Sequence, residues 1–258
     1  MRLLRMWSVG IMALLILASC AELTKIMKQA EDYGITTEPA KDVLTNDEII
    51  QGLKEALSKG AEFAVSSLSV EDGYFKNQAL KILLPEESRP LYEKIEKVPV
   101  LSGILDDAVL SVNRAAENAA IEAKPIFIQA IKEMTIADGK RILQGSDTAA
   151  THYLREKTFA KLYAAFKPKI QASLEKKYVK NISAEGTYKS AIDAYNTASL
   201  KGMLWDRIEN NSLAEHTTRR ALQGLFVKVA EEEKEIRNDP VHRVTDILKR
   251  VFGWDFSQ

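Results

Sequence analysis

The sequence has few cysteines, glycines and prolines, and these shortages exclude several classes of protein. Its 258 residues contain 1 Cys, 12 Gly and 7 Pro. A single cysteine excludes an internal disulfide and any metal site built from several cysteines. No internal repeat or low-complexity segment is present. With 46% hydrophobic and 28% charged residues, the composition is that of an ordinary globular protein with enough apolar residues for a core.

The sequence also lacks an excess of either charge and the usual catalytic motifs. Lys and Arg number 36, as do Asp and Glu, so no basic excess indicates nucleic-acid binding. No G-x-S-x-G pattern occurs, and "GSDTAAT" has one glycine, which is too few for a phosphate-binding loop. These motifs therefore predict no catalytic residues, no metal ligands and no cofactor.

The one cysteine lies close to the N-terminus. Arg2 and Arg5 precede the apolar run "VGIMALLILA", and Ser19 and Cys20 follow it. A positive start, a short apolar stretch and small residues before a cut are the parts of a secretory signal. The run is about half of the ~20 residues that a membrane-spanning helix needs. The pattern therefore predicts a signal peptide over residues 1–19.

The stretch from Leu17 to Cys20 resembles the lipobox of bacterial lipoproteins. This resemblance implies that Cys20 is lipidated after cleavage and anchors the chain in the cell envelope, facing the periplasm. Ala21 stands where an Asp would resemble an inner-membrane retention signal, which favours the outer membrane. The alternatives are an uncleaved N-terminal anchor and a chance cysteine in a plain signal peptide.

The rest of the chain is expected to form one all-α domain. We expect residues 20–45 to be the lipidated N-terminus and a tether, residues 46–253 the helical domain, and residues 254–258 a tail. Capping patterns occur from Thr45 to Glu48, from Thr135 to Asp138 and from Ser212 to Glu215. Apolar residues recur at helical spacing, and no convincing strand alternation is present.

Three prolines are expected to limit the helices. Pro125 should kink or restart a long alanine-rich helix, and Pro168 should interrupt the helix that follows "GSD". Asp239 and Pro240 should begin the last helix, with Gly253 ending it. One apolar stripe is predicted along that last helix, and its members are Val241, Val244, Leu248 and Val251.

Several stretches together resemble a family of bacterial lipoproteins built around a single helical domain of unknown function. They are "GLKEAL", "NRAAE", "AKPIF", "AIKEMTIADGKRIL", "GSDTAATHYLREKT", "ALQGLF", "AEEEKEIR" and "TDILKRVF". The resemblance covers roughly residues 46–252, and the blocks occur in order. It departs at Gly139, where Ala is expected. The resemblance implies an all-α fold and an envelope location, and it offers no catalytic residues to carry over.

One polar cluster is the candidate site. Thr151, His152 and Arg155 share a helical sector with the large apolar residues that follow them, so they should point inward or into a cleft. An inward arginine needs a partner. On the alanine-rich helix, a polar stripe offers partners, and its members are Asp106, Asn113 and Glu117. We expect Arg155 to be buried and paired with Glu117, or failing that with Asp106.

This cluster has a structural and a functional interpretation. It is either a satisfied interior network that fixes helix register or a site for a ligand's polar group. His152 and Glu156 have the spacing of a metal pair but lack a third ligand. The three function classes left open are a membrane-tethered binding module for an envelope protein or small ligand, an envelope enzyme using His152 and Arg155, and a structural protein that pairs with itself. The first needs the fewest assumptions.

Overall fold

The computed structural model describes residues 44–95, 99–179, 182–200, 202–209 and 212–253. The predictions for the signal peptide, Cys20, most of the tether and the C-terminal tail therefore lie outside the described residues.

The described part of the chain from Thr45 onward is a helical domain that folds as one unit, which confirms the all-α prediction. Its α-helices are α1 (Asn46–Leu68), α2 (Arg89–Ile95), α3 (Pro99–Ala120), α4 (Ala123–Lys132), α5 (Ile136–Leu143), α6 (Ala149–Glu175), α7 (Ala184–Ala198), α8 (Leu213–Asn238) and α9 (Asp246–Phe252). Two short 3-10 helices lie at Glu86–Ser88 and Pro240–His242. None of the helices in these described ranges is long and apolar enough to cross a membrane.

The core lies around α8, which packs against α1, α3 and α6. Residues at helical spacing form the inner faces of α1 and α8, although Ile49 at the start of α1 is only half-buried. Their buried members are Leu53, Leu57, Ala61, Ala64 and Leu68 on α1 and Ala214, Thr218, Ala221, Leu225 and Val229 on α8. The inner face of α3 is largely alanine, and small side chains allow neighbouring helices to approach it closely.

Two of the three predicted caps form completely. Thr45 accepts a hydrogen bond from the Glu48 amide while the Glu48 carboxylate accepts from the Thr45 amide, and Thr135 and Asp138 repeat the arrangement. The hydrogen bonds from Thr135 hold the pKa of the Asp138 carboxyl below its usual value. Ser212 caps the Glu215 amide, but the Glu215 carboxylate turns to Arg219 and leaves the third cap half-formed.

The prediction for Pro125 is confirmed, and that for Pro168 is wrong. The chain breaks after Ala120 and restarts as α4, with Pro125 in its first turn. By contrast, α6 continues through Pro168 to Glu175. Pro168 lies on the exposed side, whereas Phe166 and Ile170 are fully buried. Burial of these neighbours offsets the hydrogen bond that the proline removes.

The C-terminal helix begins later than predicted. Asp239 caps only the short 3-10 helix, and α9 starts at Asp246 with Thr245 as its N-cap. Of the predicted stripe, Leu248 and Val251 are buried, whereas Val241 and Val244 are exposed. Gly253 ends the helix as predicted.

A short antiparallel strand pair, which the sequence did not predict, joins α6 to α7. Its strands are β1 (Lys177–Val179) and β2 (Ile182–Ser183). Two strands of this length do not form an independent layer, so the fold remains all-α.

Candidate functional site

The six residues of the predicted polar cluster do not meet at one place. Asn113, Glu117 and Thr151 are buried, whereas the other three are exposed, and these are Asp106, His152 and Arg155. The prediction of a single inward cluster is therefore wrong. The buried members belong to two separate networks, one on α3 and one between α6 and α8.

Arg155 is exposed, and its predicted pairing with Glu117 or Asp106 is wrong. Its guanidinium carbon lies 5.8 Å from the ring centroid of Phe159 and 5.6 Å from that of Phe226. Among the ion pairs of the described residues, Glu117 pairs instead with Arg114, at 2.7 Å. The stem of Arg155 thus covers aromatic rings while its charge stays in solvent.

The error has a geometric cause. The prediction places the inward face of α6 along one straight line, but seven of its nine buried residues follow steps of four. These seven are Ala150, Leu154, Thr158, Leu162, Phe166, Ile170 and Leu174, and the other two are Thr151 and Tyr153. Each step of four turns about 40° further around the helix at ~100° per residue. The inward direction at the start of α6 is therefore far from its direction at Phe166, and Arg155 points outward.

The first network holds a connecting loop against α3. The Glu117 carboxylate accepts hydrogen bonds from the amides of Tyr74 at 3.1 Å and Phe75 at 3.2 Å. Arg114 binds Glu117 and also reaches Asp72 at 2.7 Å. These contacts satisfy the backbone of the turn that follows α1, where Asp72 has a φ of 69°.

Asn113 extends this network one turn earlier. Its amide oxygen accepts from the Ile82 amide at 2.9 Å, and its amide nitrogen donates to the Ile82 carbonyl at 2.8 Å. The side chain therefore pairs with Ile82 as a neighbouring strand would. Together Asn113 and Glu117 fix the loop 69–85 to the core at two points, and their polar atoms bind protein backbone and the Arg114 side chain.

The second network joins α8 to the start of α6. The Glu233 carboxylate accepts from the amides of Ala150 at 2.9 Å and Thr151 at 2.7 Å, and from the Thr151 hydroxyl at 2.7 Å. Thr148, the N-cap residue of α6, makes no side-chain cap. Glu233 thus caps α6 from another helix and places its charge at the positive end of the helix dipole.

Arg237 completes this second network. Its guanidinium binds Glu233 at 3.0 Å and donates to the Ile142 carbonyl at the end of α5, also at 3.0 Å. The pair therefore caps the end of α5 and the start of α6 together. A cavity of about 20 Å³ lies beside it, lined in part by Leu53, Val229 and Phe252. This volume suits one water molecule, and neither His152 nor Arg155 lines the cavity.

Sequence reasoning missed Glu233 and Arg237 as interior residues. By its charge alone, the stretch "EEEKEIR" is typical of a solvated helix face on which Glu233 and Arg237 form an ion pair four positions apart. The ion pair is present but largely buried, with side chains 8% and 11% exposed. Val229, Glu233 and Ile236 follow helical spacing, so the inward stripe of α8 already passes through Glu233. That spacing was the available signal.

An exposed face carries cations over aromatic rings between α6 and α8. We call it the cationic face, and its members are Arg155, Phe159, Tyr163, Lys167 and Arg219. The rings of Phe159 and Tyr163 stack with centroids 6.4 Å apart. Lys167 lies 5.6 Å and Arg219 lies 5.4 Å from the Tyr163 centroid. Glu215 contacts both of these cations.

One group of possible metal ligands lies elsewhere, at the end of α8. Ligand atoms of Glu235, Asp239 and His242 all lie within 4.8 Å of one another. Asp239 already accepts from the Val241 amide and contacts His242 at 3.1 Å. None of the three is buried, and such surface groups are common without a metal, so we assign no ion to them.

Comparison with known proteins yields one match. A family model described as "Protein of unknown function (DUF4197)" matches residues 43–253. No curated protein and no solved structure matches.

Proposed function

We propose, from the premise that this chain belongs to the DUF4197 family of proteins of unknown function, that it is a lipid-tethered binding module of the bacterial envelope. In this proposal Cys20 carries the lipid, the domain faces the periplasm, and the outer membrane is the favoured location. The domain acts without catalysis, by holding an acidic segment of an envelope protein on the cationic face.

The N-terminal sequence supports the tether. Arg2 and Arg5, the apolar run and the small residues before Cys20 form the complete pattern of a lipoprotein signal. A thioether-linked diacylglycerol contributes ~0.8 kcal/mol per buried CH₂, and a second acylation makes membrane attachment stable.

The exposure of Arg155 is the observation that carries the binding role. Its guanidinium lies over Phe159 and Phe226 and enters no ion pair with a described carboxylate. Lys167 and Arg219 add two cations, against the single carboxylate of Glu215. Aromatic rings beneath exposed arginines are typical of the energetically important centre of a protein interface. Carboxylates are the groups that guanidinium recognises with paired hydrogen bonds.

The buried polar groups support a non-enzymatic role. Three candidates for chemistry are instead used to hold the fold together. Asn113 and Glu117 bind backbone amides of the loop 69–85, and Thr151 binds Glu233 at the start of α6. This is the structural interpretation of the predicted cluster, in which polar contacts specify one packing.

Lipidation is tested by metabolic labelling with a fatty-acid analogue. The wild-type chain should incorporate the label, and Cys20→Ala should not. Equal labelling of the two proteins would remove the tether from the proposal.

The binding role is tested by photo-crosslinking in intact cells. A photoreactive amino acid replaces His152, which lies one turn before Arg155, and in a matched control it replaces Lys161 on the other side of α6. We expect a discrete protein adduct from position 152 that disappears with Arg155→Met and is absent from position 161. The adduct's contact peptide should be rich in Asp and Glu. Equal adducts from both positions, or an adduct insensitive to Arg155→Met, would contradict a specific cationic docking face.

A further inference from the structure

The connection between α7 and α8 exposes large apolar side chains that folding does not explain. We call this the apolar loop, and its members are Leu200, Met203 and Leu204, with exposures of 59%, 81% and 60%. All three lie within five positions of the chain. Exposing this much apolar surface to water costs free energy. An exposed apolar patch of this kind indicates an interaction site.

The loop is held in this arrangement by its base. The Asn196 side chain accepts from the Ile208 amide at 2.8 Å and donates to the Ile208 carbonyl at 2.9 Å. The buried Ser199 hydroxyl accepts from the Gly202 amide at 2.9 Å. Polar groups thus close the loop below its tip, so the apolar side chains remain outside the core.

Aromatic and basic side chains lie beside the tip. The Lys94 ammonium lies 3.7 Å from the Trp205 ring centroid, and Trp205 packs on Tyr195 at 5.7 Å. Arg207 is exposed two residues further on. Protein surfaces that enter the interface of a lipid bilayer often combine exposed leucine or methionine with neighbouring Trp, Lys and Arg. The apolar loop and its neighbours have this combination.

Another exposed apolar pair follows the C-terminal end of α8. Val241 and Val244 are 81% and 66% exposed, and the Val241 amide donates to Asp239. Carboxylates lie near both sites, Asp206 beside Arg207 and Asp239 beside His242, so what distinguishes the apolar loop is Trp205 with the Lys94 ammonium over its ring. Along the chain, the apolar loop precedes α8 and the two valines follow it. The 26 residues of α8 span about 39 Å at 1.5 Å per residue.

The chain that precedes the domain is long enough to bring the apolar loop to a membrane. From Cys20 to position 43 there are 24 residues, and a fully extended chain of that length spans about 80 Å. This reach is about twice the length of α8, so a lipid anchor at Cys20 permits either end of the domain to contact the bilayer.

We propose that the apolar loop inserts into the interface of the membrane that holds the lipid anchor, so that the domain lies on the bilayer at a fixed orientation. The inference rests on the proposed tether. Met203 and Leu204 enter the boundary between headgroups and acyl chains, and Lys94 and Arg207 contact the phosphates.

The test uses the full-length protein purified from cells and reconstituted in vesicles of phosphatidylethanolamine and phosphatidylglycerol. Met203→Cys carries an environment-sensitive fluorophore on its thiol, and Leu204→Cys is a second reporter. Val241→Cys is the matched control, because Val241 and Met203 have the same exposure of 81%. The vesicles contain a lipid with a nitroxide quencher near the headgroup.

We expect labels at positions 203 and 204 to shift to the blue and to lose most of their emission to the quencher, whereas the label at position 241 does neither. Emission at positions 203 and 204 that matches position 241 would overturn the inference. A blue shift without quenching that grows with protein density would also overturn it, because it would mean that the loop pairs with a second copy.

Failure of the tether gives a separate result. When Cys20 is acylated, the protein without an added cysteine has no thiol and takes up no fluorophore. Labelling of that protein would show a free Cys20 and refute the tether, whatever the labels at positions 203 and 204 report.

Discussion

Glu117 and Glu233 are two buried carboxylates that bind backbone amides of a distant segment, and they differ in how far the protein encloses their arginines. The side chains of Glu117 and Arg114 are 4% and 31% exposed, whereas those of Glu233 and Arg237 are 8% and 11% exposed. Arg114 also reaches Asp72 and Glu71. The carboxylate–arginine pair on α3 is therefore partly solvated and shares its arginine with other carboxylates, whereas the pair on α8 is enclosed.

The comparison shows that the remaining partners of the arginine determine what the loss of a carboxylate costs. Without Glu117, Arg114 keeps Asp72 and access to solvent. Without Glu233, Arg237 keeps the Ile142 carbonyl and the Phe252 ring but no carboxylate, in a nearly closed site. An uncompensated buried cation is much more costly than a solvated one.

The largest effect is expected for Glu233→Ala. It removes the acceptor of the Ala150 and Thr151 amides and leaves Arg237 without its carboxylate, which should lower the free energy of unfolding by about 3–5 kcal/mol. Urea unfolding followed by circular dichroism measures the change. Glu231→Ala, on the exposed side of the same helix, should stay within about 0.5 kcal/mol of wild type. Similar values for the two variants would show that the cap on α6 is dispensable.

A smaller loss is expected for Glu117→Ala. The amides of Tyr74 and Phe75 lose their acceptor, but Arg114 retains Asp72, so we expect a cost of about 2–3 kcal/mol. The same urea measurement applies, with Asn118→Ala on the exposed side of α3 as the control. If Glu117→Ala proved more damaging than Glu233→Ala, enclosure of the arginine would not be the deciding factor.

Arg155→Ala extends the comparison to an arginine outside the core. It removes only contacts with Phe159 and Phe226, so it should cost no more than about 1 kcal/mol. Arg237→Ala, which removes the cation from an enclosed carboxylate and the donor from the Ile142 carbonyl, should be more destabilising in the same urea series. A loss at Arg155 comparable to that at Arg237 would revive the buried pairing that the sequence suggested.

The smallest expected effect is a change with pH in the local stability of the loop that α3 holds. The ring of His216 on α8 lies 2.9 Å from the Leu83 carbonyl, next to the residue that Asn113 binds. Burial lowers the pKa of His216 below its usual value, so the folded protein favours the neutral ring. This contribution to stability is present above a pH of about 6.5 and is lost as the pH falls through the folded pKa.

Amide hydrogen exchange at two positions measures this difference. On acidification, the Ile82 amide should lose more protection in the wild-type protein than in His216→Gln. Glutamine at this position keeps a hydrogen-bond donor but does not titrate. The Thr151 amide, held by Glu233, should respond alike in both proteins. Equal responses of Ile82 in the two proteins would remove His216 as the cause.

Much of the fold was predictable because its signals are local. The caps at Thr45 and Thr135 join residues three positions apart, and the break before Pro125 follows from the missing amide of proline. The inner faces of α1 and α8 follow from apolar spacing alone. The continuation of α6 through Pro168 was not predictable in this way, because it depends on what Phe166 and Ile170 pack against.

The candidate site was less predictable, because its partners are far apart in sequence. Glu117 binds residues 42 and 43 positions away, and Glu233 binds residues 82 and 83 positions away. Spacing shows which residues share a helix face but not which segment that face meets. The sequence correctly marked Asn113, Glu117 and Thr151 as polar residues on inner faces, and it misplaced Arg155 by assuming a straight stripe.

The sequence by itself determined the helical class, several of the helix ends and the pattern of a lipid signal, since periodicity and capping act within a few residues. Only the tertiary structure decided that Glu233 caps α6, that Arg155 remains in solvent over aromatic rings and that the apolar loop points away from the core. The physical reason is that these features depend on which surfaces the helices bury against one another, and that choice is made by packing across the whole domain.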